Sequence, residues 1–255
     1  MKDFRKRPQR PKKNKLIVGV TAVLDAFKAA QPLDRIYLAD SLPASSAKGI
    51  RSLANEANVP IQVVPRVKLD SFNVGQHDGC IALKSRIVYQ SLQAVIDWVV
   101  GEGRLPLLLM LDGITDIRNI GGIARTAFCT GVDAIIIPDK GVGALQEDAI
   151  LTSAGALEKI AVCRVDSLVK ATDTMHLNGI RVYATQMNGQ LSIEKVDFTE
   201  PCCIIMGNEE KGIYSALLKN ADATIFIPMM GDFDSFNVSV STGIVLYQAM
   251  KQRIS

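Results

Sequence analysis

Three polar segments of the sequence each follow an apolar run and contain residue types that could take part in chemistry. The first, residues 112–125, follows the run Leu107–Leu111 and contains Asn119, Gly121, Gly122 and Arg125. If it forms a helix, Arg125 lies on the same face as Gly121, four residues earlier. A guanidinium beside bare backbone near a helix N-terminus could bind phosphate. The residues alone leave open the alternative of a capped helix with a surface arginine.

The second segment, residues 207–212, follows the apolar run Cys202–Met206 and combines glycine with carboxylates. Gly207 could bring the backbone against a cofactor, and Glu209 would lie at the carboxyl tip of the preceding strand. The alternative is a solvated turn, because Glu209 and Glu210 stand beside Lys211 and such residues are common in turns.

The third segment, residues 227–241, leads from a strand that ends at Pro228 into the last helix. Asn237 and Ser239 fall in the first turn of that helix, where backbone N–H groups lack intrahelical partners. Helix capping accounts for one of these polar residues. It does not account for the threefold repetition of a strand followed by glycine and by Asn or Glu.

Two other kinds of site are disfavoured. The glycines of residues 141–146 begin like a dinucleotide-binding fingerprint but lack its third glycine, which argues against a nicotinamide cofactor. The five cysteines form no CxxC pair and the sequence has two histidines, so we expect no metal site. The cysteines are interpreted as reduced thiols packed in the interior.

The elements that must position these segments alternate between strand and helix patterns. Continuous apolar runs of strand length recur and indicate strands covered on both faces, as in a parallel sheet. Helical patterns separate most of them, so the sequence predicts an α/β domain that binds ligands at the carboxyl ends of its strands. The last helix is predicted at about residues 236–253, with Ser235 or Asn237 as its cap and a core face formed by Val240, Ile244 and Tyr247. The strands are predicted at residues 107–111, 134–138, 159–165, 181–184, 202–206 and 224–228.

The first half of the chain shows a second, shorter α/β pattern. Helices are predicted at residues 19–30, 44–58 and 90–100, and strands at 35–39, 61–64 and 81–83. Two glycines and a proline within residues 101–106 predict a linker, so the expected domains are 16–100 and 107–255.

Residues 1–15 hold eight basic residues and one acid, with two prolines. They predict a disordered basic arm, which could contact RNA through its phosphates. No secretory signal and no membrane span is evident in the sequence, so a cytoplasmic protein without a membrane partner is expected.

Taken together, the three polar segments resemble the motifs of the SpoU, or TrmH, family of RNA ribose methyltransferases in the SPOUT superfamily. The resemblance runs from about Leu107 to Arg253 and depends on three blocks in order, residues 119–125, 207–212 and 227–239. More weakly, residues 18–27 and 35–39 resemble the N-terminal substrate-binding domain of the rRNA-type members.

The resemblance implies an enzyme that uses S-adenosylmethionine to methylate the 2′-hydroxyl of an RNA ribose. It also implies a deep trefoil knot in the C-terminal domain, which is rare in proteins, and a homodimer with the active site near the subunit interface. By carry-over, the cofactor is held around Gly207, Ile227, Met229 and Phe236. The reaction centre would be lined by Asn119, Arg125, Glu209, Asn237 and Ser239.

The sequence departs from the family pattern at several positions. Family members commonly have proline at position 118, histidine at 21, leucine at 236 and alanine at 241, where this chain has Arg118, Thr21, Phe236 and Ser241. A guanidinium is too basic to lose its proton readily, so Arg125 is expected to stabilise charge and anchor phosphate rather than act as a base.

The expected substrate is a guanosine of large-subunit ribosomal RNA, with transfer RNA as the second choice. Two further alternatives stay open: a non-catalytic RNA-binding or ribosome-assembly protein on the same scaffold, and a nicotinamide-dependent oxidoreductase.

Overall fold

The fold is that of a computed structural model, which describes residues 15–57, 59–139, 145, 147–231 and 235–254. The chain divides into two compact units, residues 1–86 and 87–255. Most of the predicted basic arm and nearly all of the glycine-containing segment 141–146 lie outside the described residues.

The first unit is a small four-stranded sheet with helices on both of its faces. Its strand order is β1-β4-β2-β3, with β2 and β3 parallel and the other pairs antiparallel. Strand β4 shows why the sheet needs two cores: Cys80 and Ala82 point into one apolar cluster, and Ile81 and Leu83 into the other. The elements of this unit are β1 (Leu16–Val18), α1 (Val20–Lys28), β2 (Leu33–Ala39), α2 (Ala44–Glu56), β3 (Ile61–Val64), α3 (Arg66–Asp70) and β4 (Cys80–Lys84).

The second unit is built on an eight-stranded sheet in which all neighbouring strands are parallel. The strand order is β10-β12-β9-β11-β6-β7-β8-β5. The predicted α/β domain with a mainly parallel sheet is therefore confirmed. Its elements are β5 (Tyr89–Gln90), α4 (Leu92–Gly101), β6 (Leu107–Leu111), α5 (Ile117–Cys129), β7 (Ala134–Pro138), α6 (Glu147–Thr152), β8 (Ala161–Val165), α7 (Leu168–Leu177), β9 (Arg181–Thr185), β10 (Leu191–Ser192), β11 (Cys202–Met206), α8 (Ser215–Asn220), β12 (Ala223–Phe226) and α9 (Val238–Arg253).

Strand β6 lies near the middle of this sheet and is buried along its whole length. Leu109 and Leu111 belong to the apolar cluster that includes α5 and α9. Leu108 and Met110 belong to the cluster on the other face, with α4, α7 and α8. Burial on both faces explains why the run is continuously apolar rather than alternating. The deep trefoil knot that the family resemblance implies stays a prediction.

The division between the units falls at Arg86 and Ile87, and not at the predicted linker 101–106. Strand β5 pairs with β8, and the apolar stripe of α4 packs into the second unit beside Met110 and Ile136. The glycines and proline of 101–106 form the turn between α4 and β6, where Gly103 has a φ of +71°. Such residues mark a tight helix-to-strand turn as well as a linker.

The orientation predicted for the last helix is wrong. Val240 and Tyr247 are 49% and 59% exposed, and Ile244 is only partly buried. The core face of α9 is instead formed by Val238, Thr242, Val245, Leu246 and Ala249. Two apolar stripes share this helix at helical spacing, and periodicity alone does not tell which one faces the sheet.

The cysteine interpretation holds for four of the five residues. Cys80, Cys163, Cys202 and Cys203 are buried, whereas Cys129 at the end of α5 is exposed, and all five are free thiols. Among the described residues, no helix combines the length and the apolarity that crossing a bilayer requires.

Candidate active site

The three polar segments meet at one edge of the large sheet. They follow β6, β11 and β12, and the sheet order places β6, β11, β9 and β12 side by side and parallel. Their carboxyl ends therefore lie together, which is where open α/β sheets bind ligands. A cavity of about 410 Å³ opens at this edge.

Glu209 is the centre of a hydrogen-bond network that joins all three segments. Its Oε1 accepts hydrogen bonds from Asn119 Nδ2 at 3.2 Å, Asn237 Nδ2 at 2.6 Å and the backbone N–H of Val238 at 3.0 Å. Asn237 Nδ2 also donates to Asn119 Oδ1 at 3.1 Å. One carboxylate oxygen thus fixes two amide side chains that come from different strand ends.

Asn237 is the N-cap of α9 and links Ser239 to the same network. Its Oδ1 accepts from the backbone N–H of Ser239 at 3.0 Å and from Ser239 Oγ at 2.6 Å. Of the two predicted caps, Asn237 is confirmed. Because capping occupies Oδ1 alone, the amide nitrogen of Asn237 is free to reach Glu209 and Asn119.

Arg125 lies on α5, the helix that also carries Asn119, and takes no part in this network. It is exposed on α5, which packs against α9, and Gly122 of α5 faces Ser239: a Cβ at position 122 would lie 3.5 Å from Ser239 Cβ. In the part of the chain that the structure describes, the Arg125 guanidinium has no hydrogen-bond or ion-pair partner. Its donors are therefore available to a ligand.

The bare backbone patch predicted at Gly121 is filled by the protein itself. A Cβ at position 121 would lie 2.5 Å from Thr152 Cβ and 2.9 Å from the backbone nitrogen of Ser153. Gly121 thus allows α5 to pack tightly against α6 and is not open to a phosphate. Helix α5 begins at Ile117, with Asp116 as its N-cap and Asn119 inside the first turn.

The four residues predicted to hold a cofactor all line the cavity: Gly207, Ile227, Met229 and Phe236. The rest of the lining has an apolar part and a polar part. One part is apolar and includes Ile213, Ile225 and Val245. The other is polar, contributed by the segment after β9 and by the loop after β11. Such a lining suits a small molecule with both an apolar ring system and charged groups. The polar lining residues include Thr185, Gln186, Asn188, Asn208, Glu209 and Ser235.

The loop after β11 is folded tightly, and this is why position 207 is glycine. A Cβ there would lie 2.6 Å from the carbonyl carbon of Gly212 and 2.7 Å from the backbone nitrogen of Ile213. Asn208 and Gly212 exchange backbone hydrogen bonds across the loop, and Gly212 has a φ of +67°. Gly207 therefore closes the loop in addition to lining the cavity.

Two residues that position this loop were not predicted from the sequence. Asn208 donates from Nδ2 to the carbonyl of Gly113 at 2.9 Å, and its Oδ1 accepts from the N–H groups of Glu210 and Lys211. Asp112 Oδ2 accepts from the N–H of Tyr214 at 2.7 Å. Asp112 is the first residue after β6, and Asn208 is the second residue after β11. Their position at the end of a buried strand is the signal that could have identified them.

An ion pair stands at the start of α5. The Asp116 carboxylate accepts from the backbone N–H of Arg118 at 2.8 Å, and Arg118 Nη2 lies 3.2 Å from Asp116 Oδ2. The hydrogen bonds from the side chain and backbone of Arg118 lower the pKa of Asp116, and the carboxylate raises the pKa of Arg118. Asp116 is therefore ionised at neutral pH.

Comparison with known proteins identifies the family of the chain. Residues 106–247 match the model of the SpoU rRNA Methylase family, and residues 16–86 match the model described as RNA 2′-O ribose methyltransferase substrate binding. The chain is 30% identical to the candidate TrmH family tRNA/rRNA methyltransferase YacO of Bacillus subtilis (strain 168), over 93% of this chain and 95% of that protein.

Solved structures show the same fold. The SpoU methyltransferase AviRb of Streptomyces viridochromogenes, solved in complex with AdoMet, is similar with a TM-score of 0.60 and 22% identity, covering 97% of this chain and 95% of its own. The A. aeolicus TrmH/SpoU tRNA modifying enzyme is similar with a TM-score of 0.53 and 29% identity, covering 64% of this chain and 82% of its own. The chain belongs to the SpoU/TrmH family of RNA methyltransferases.

Proposed function

We propose that this protein transfers a methyl group from S-adenosylmethionine to the 2′-hydroxyl of a ribose in RNA. One observation carries the proposal: Glu209, which lines an amphipathic cavity, joins Asn119 and Asn237 in a single network, and Asn119 lies on the same helix as the exposed Arg125. The arrangement offers a cofactor site, oriented amide groups and a guanidinium that has no partner among the described residues.

The cavity fits the cofactor in size and in chemistry. Its volume of about 410 Å³ lies in the range of small-molecule sites. The apolar wall suits an adenine ring, and the polar side chains and backbone suit the ribose and the amino-acid end. Gly207, Ile227, Met229 and Phe236 would hold the cofactor, which when bound supplies a methyl group already activated for transfer.

The residues of the chain would orient the ribose and stabilise the charge that develops on its oxygen. Arg125 is the charge stabiliser and phosphate anchor, because a guanidinium keeps its proton and presents several donors. Asn119 and Asn237 orient the ribose through their amides. Glu209 and Ser239 hold those amides in place, which matters because small misplacements of reacting groups lower rates greatly.

We propose ribosomal RNA as the substrate, with a guanosine of the large subunit as the target and transfer RNA as the second candidate. The family model that matches residues 106–247 is described for rRNA, and relatives are named for both classes. The first unit supports an RNA substrate, because residues 16–86 match a substrate-binding module of RNA ribose methyltransferases. The basic residues of 1–15 would add phosphate contacts.

We also propose that the protein acts as a homodimer. Val240, Ile244 and Tyr247 form an apolar stripe on α9 that leaves Val240 and Tyr247 about half exposed. Apolar surface of this kind is typical of protein interfaces when it is contiguous. Since Asn237 is the N-cap of α9, a partner on this stripe would lie close to the reaction centre.

The experiment that tests the function compares RNA from the source organism with and without this gene. Ribose methylation is mapped across purified ribosomal and transfer RNA, and the deletion strain is complemented with the intact gene. We expect the loss of a ribose methylation in ribosomal RNA that complementation restores. A loss confined to transfer RNA would select the second substrate, and an unchanged pattern in both would contradict the proposal.

A further inference from the structure

Two arginines form an exposed stripe along α5. Arg118 and Arg125 are seven residues apart, which is close to two helical turns, so they project in nearly the same direction about 10.5 Å apart along the axis. Both are exposed, whereas Ile120 and Ile123 on the opposite side of the helix are buried. Gly122, between them along the helix, has no side chain of its own and faces Ser239 of the proposed reaction centre.

The Arg118 guanidinium is paired with Asp116 on one side and exposed to solvent on the other. Its Nη2 pairs with Asp116 Oδ2 at 3.2 Å, yet its side chain is 85% exposed. No described residue accepts a hydrogen bond from its Nη1. An ion pair as exposed as this one contributes little to stability, so the fold itself gains little from Arg118.

The pairing with Asp116 also orients the Arg118 side chain. Asp116 caps α5 and holds the backbone N–H of Arg118 at 2.8 Å as well as its guanidinium. The next residue, Asn119, is bonded to Glu209 and Asn237 in the reaction centre. A strand of RNA whose ribose lies at Asn119 and Arg125 would therefore bring a neighbouring phosphate towards Arg118.

We infer that Arg118 is a second phosphate-binding residue of the RNA site, which takes the backbone phosphate of a nucleotide flanking the methylated one. The inference rests on the proposed function and adds a residue that was not among those predicted for the reaction centre. A forked guanidinium suits a phosphate because it can donate two parallel hydrogen bonds. Arg118 would thus strengthen substrate binding without taking part in methyl transfer.

The test compares Arg118→Gln with a matched control, Lys170→Gln. Lys170 is a cation in the first turn of α7, is 74% exposed and pairs with Asp166 at 3.4 Å, so it resembles Arg118 in exposure and pairing. Binding of a mixed-sequence single-stranded RNA oligonucleotide is measured over a series of salt concentrations. Steady-state methylation of total RNA gives KM and kcat, and calorimetry gives the affinity for S-adenosylmethionine.

For Arg118→Gln we expect the slope of log affinity against log salt to become shallower by about 0.7, the loss of one phosphate contact. The KM for RNA should rise roughly tenfold, with kcat and cofactor affinity kept, because the lost contact binds ground state and transition state alike. Arg118→Lys should keep most of the salt slope. Lys170→Gln should match the unmodified protein throughout.

An unchanged salt slope and KM in Arg118→Gln would overturn the inference. Reduced cofactor affinity with an unchanged RNA salt slope would also overturn it, because Arg118 would then serve only to shape the site. Failure of the proposed function looks different: the unmodified protein would transfer no methyl group to RNA, whatever the salt slopes show.

Discussion

Glu209 and Asn237 are joined by a 2.6 Å hydrogen bond between Asn237 Nδ2 and Glu209 Oε1, although 28 residues separate them in sequence. The bond connects the loop after β11 to the N-cap of the last helix. Asn119 from the loop after β6 bonds to both residues. The proposed reaction centre therefore depends on one carboxylate that holds three separate parts of the chain together.

Replacing Glu209 with alanine should disable the site while leaving the fold largely intact. Two amide side chains and the N–H of Val238 would lose their acceptor, at a cost of about 1 kcal/mol because the group is exposed. Methyl transfer should fall about 100-fold or more, since the amides would no longer be aligned. Kinetics and thermal unfolding measure the two effects.

Glu209→Gln serves as the control for that variant, because its carbonyl oxygen can still accept hydrogen bonds. It should retain clearly more activity than Glu209→Ala. Equal activity of Glu209→Ala and the unmodified protein would show that the network does not position the reacting groups.

Replacing Gly207 with alanine should abolish cofactor binding. The added Cβ would lie 2.6 Å from the backbone of Gly212, and backbone cannot move aside as a flexible side chain can. The loop after β11 must then open and deform the cavity wall. Calorimetric titration with S-adenosylmethionine should show no measurable binding.

The matched control is Gly243→Ala in α9, where the nearest atom to an added Cβ is Thr126 Cγ2 at 3.8 Å. This variant should bind the cofactor normally and gain up to about 1 kcal/mol in stability from the better helix propensity of alanine. Normal cofactor binding by Gly207→Ala would show that the loop is not the cofactor site.

Arg253 should be important for stability although it is far along the chain from the reaction centre. Its guanidinium donates to the carbonyls of Phe198, Leu105 and Glu200 at 2.6–2.7 Å and to that of Pro106 at 3.2 Å. It thus fastens the end of α9 to the segments that precede β6 and β11. We expect Arg253→Ala to lower the free energy of unfolding of the second unit by about 3 kcal/mol.

Chemical denaturation measures that loss, with Lys219→Ala on the exposed surface of α8 as the control that should change little. Arg253→Lys should recover only part of the stability, because an ammonium cannot serve several separated carbonyls as a fork can. A stability of Arg253→Ala equal to that of the control would refute this role.

The cysteines should differ sharply in reactivity. Burial raises the pKa of Cys80 and Cys163 to about 12 and that of Cys202 to about 11, and it raises the pKa of Cys203 as well. At neutral pH these thiols stay protonated and inaccessible, and the thiolate is the reactive form. Cys129 is exposed. A colorimetric thiol reagent should label one cysteine rapidly in the folded protein and all five after denaturation; rapid labelling of two or more would contradict the packing.

Much of the second unit could be predicted because several of its strands are continuous apolar runs bounded by proline, glycine or aspartate. Residues 107–111, 134–138 and 202–206 were predicted to the residue. Once a parallel sheet is assumed, the carboxyl ends of its strands share an edge. That Asn119, Glu209 and Asn237 meet there was implied by the family resemblance, because it also requires the strand order.

What could not be predicted depends on packing between distant elements. Helix α9 has two apolar stripes, and only the position of the sheet decides that Val245 is buried and Tyr247 is exposed. Gly121 is a packing glycine because α6 happens to lie against it. The unit boundary at Arg86 depends on β5 pairing with β8, a contact between segments that are far apart in sequence.

The most direct test of the account is an analysis of the methylated product with and without Arg125. Purified protein is incubated with methyl-labelled S-adenosylmethionine and unmodified RNA, the RNA is digested to nucleosides, and the label is located by mass spectrometry. The account predicts label on the ribose of one nucleoside, and its loss in Arg125→Ala, which should still bind the cofactor. Label on a base, or equal labelling by Arg125→Ala, would contradict it.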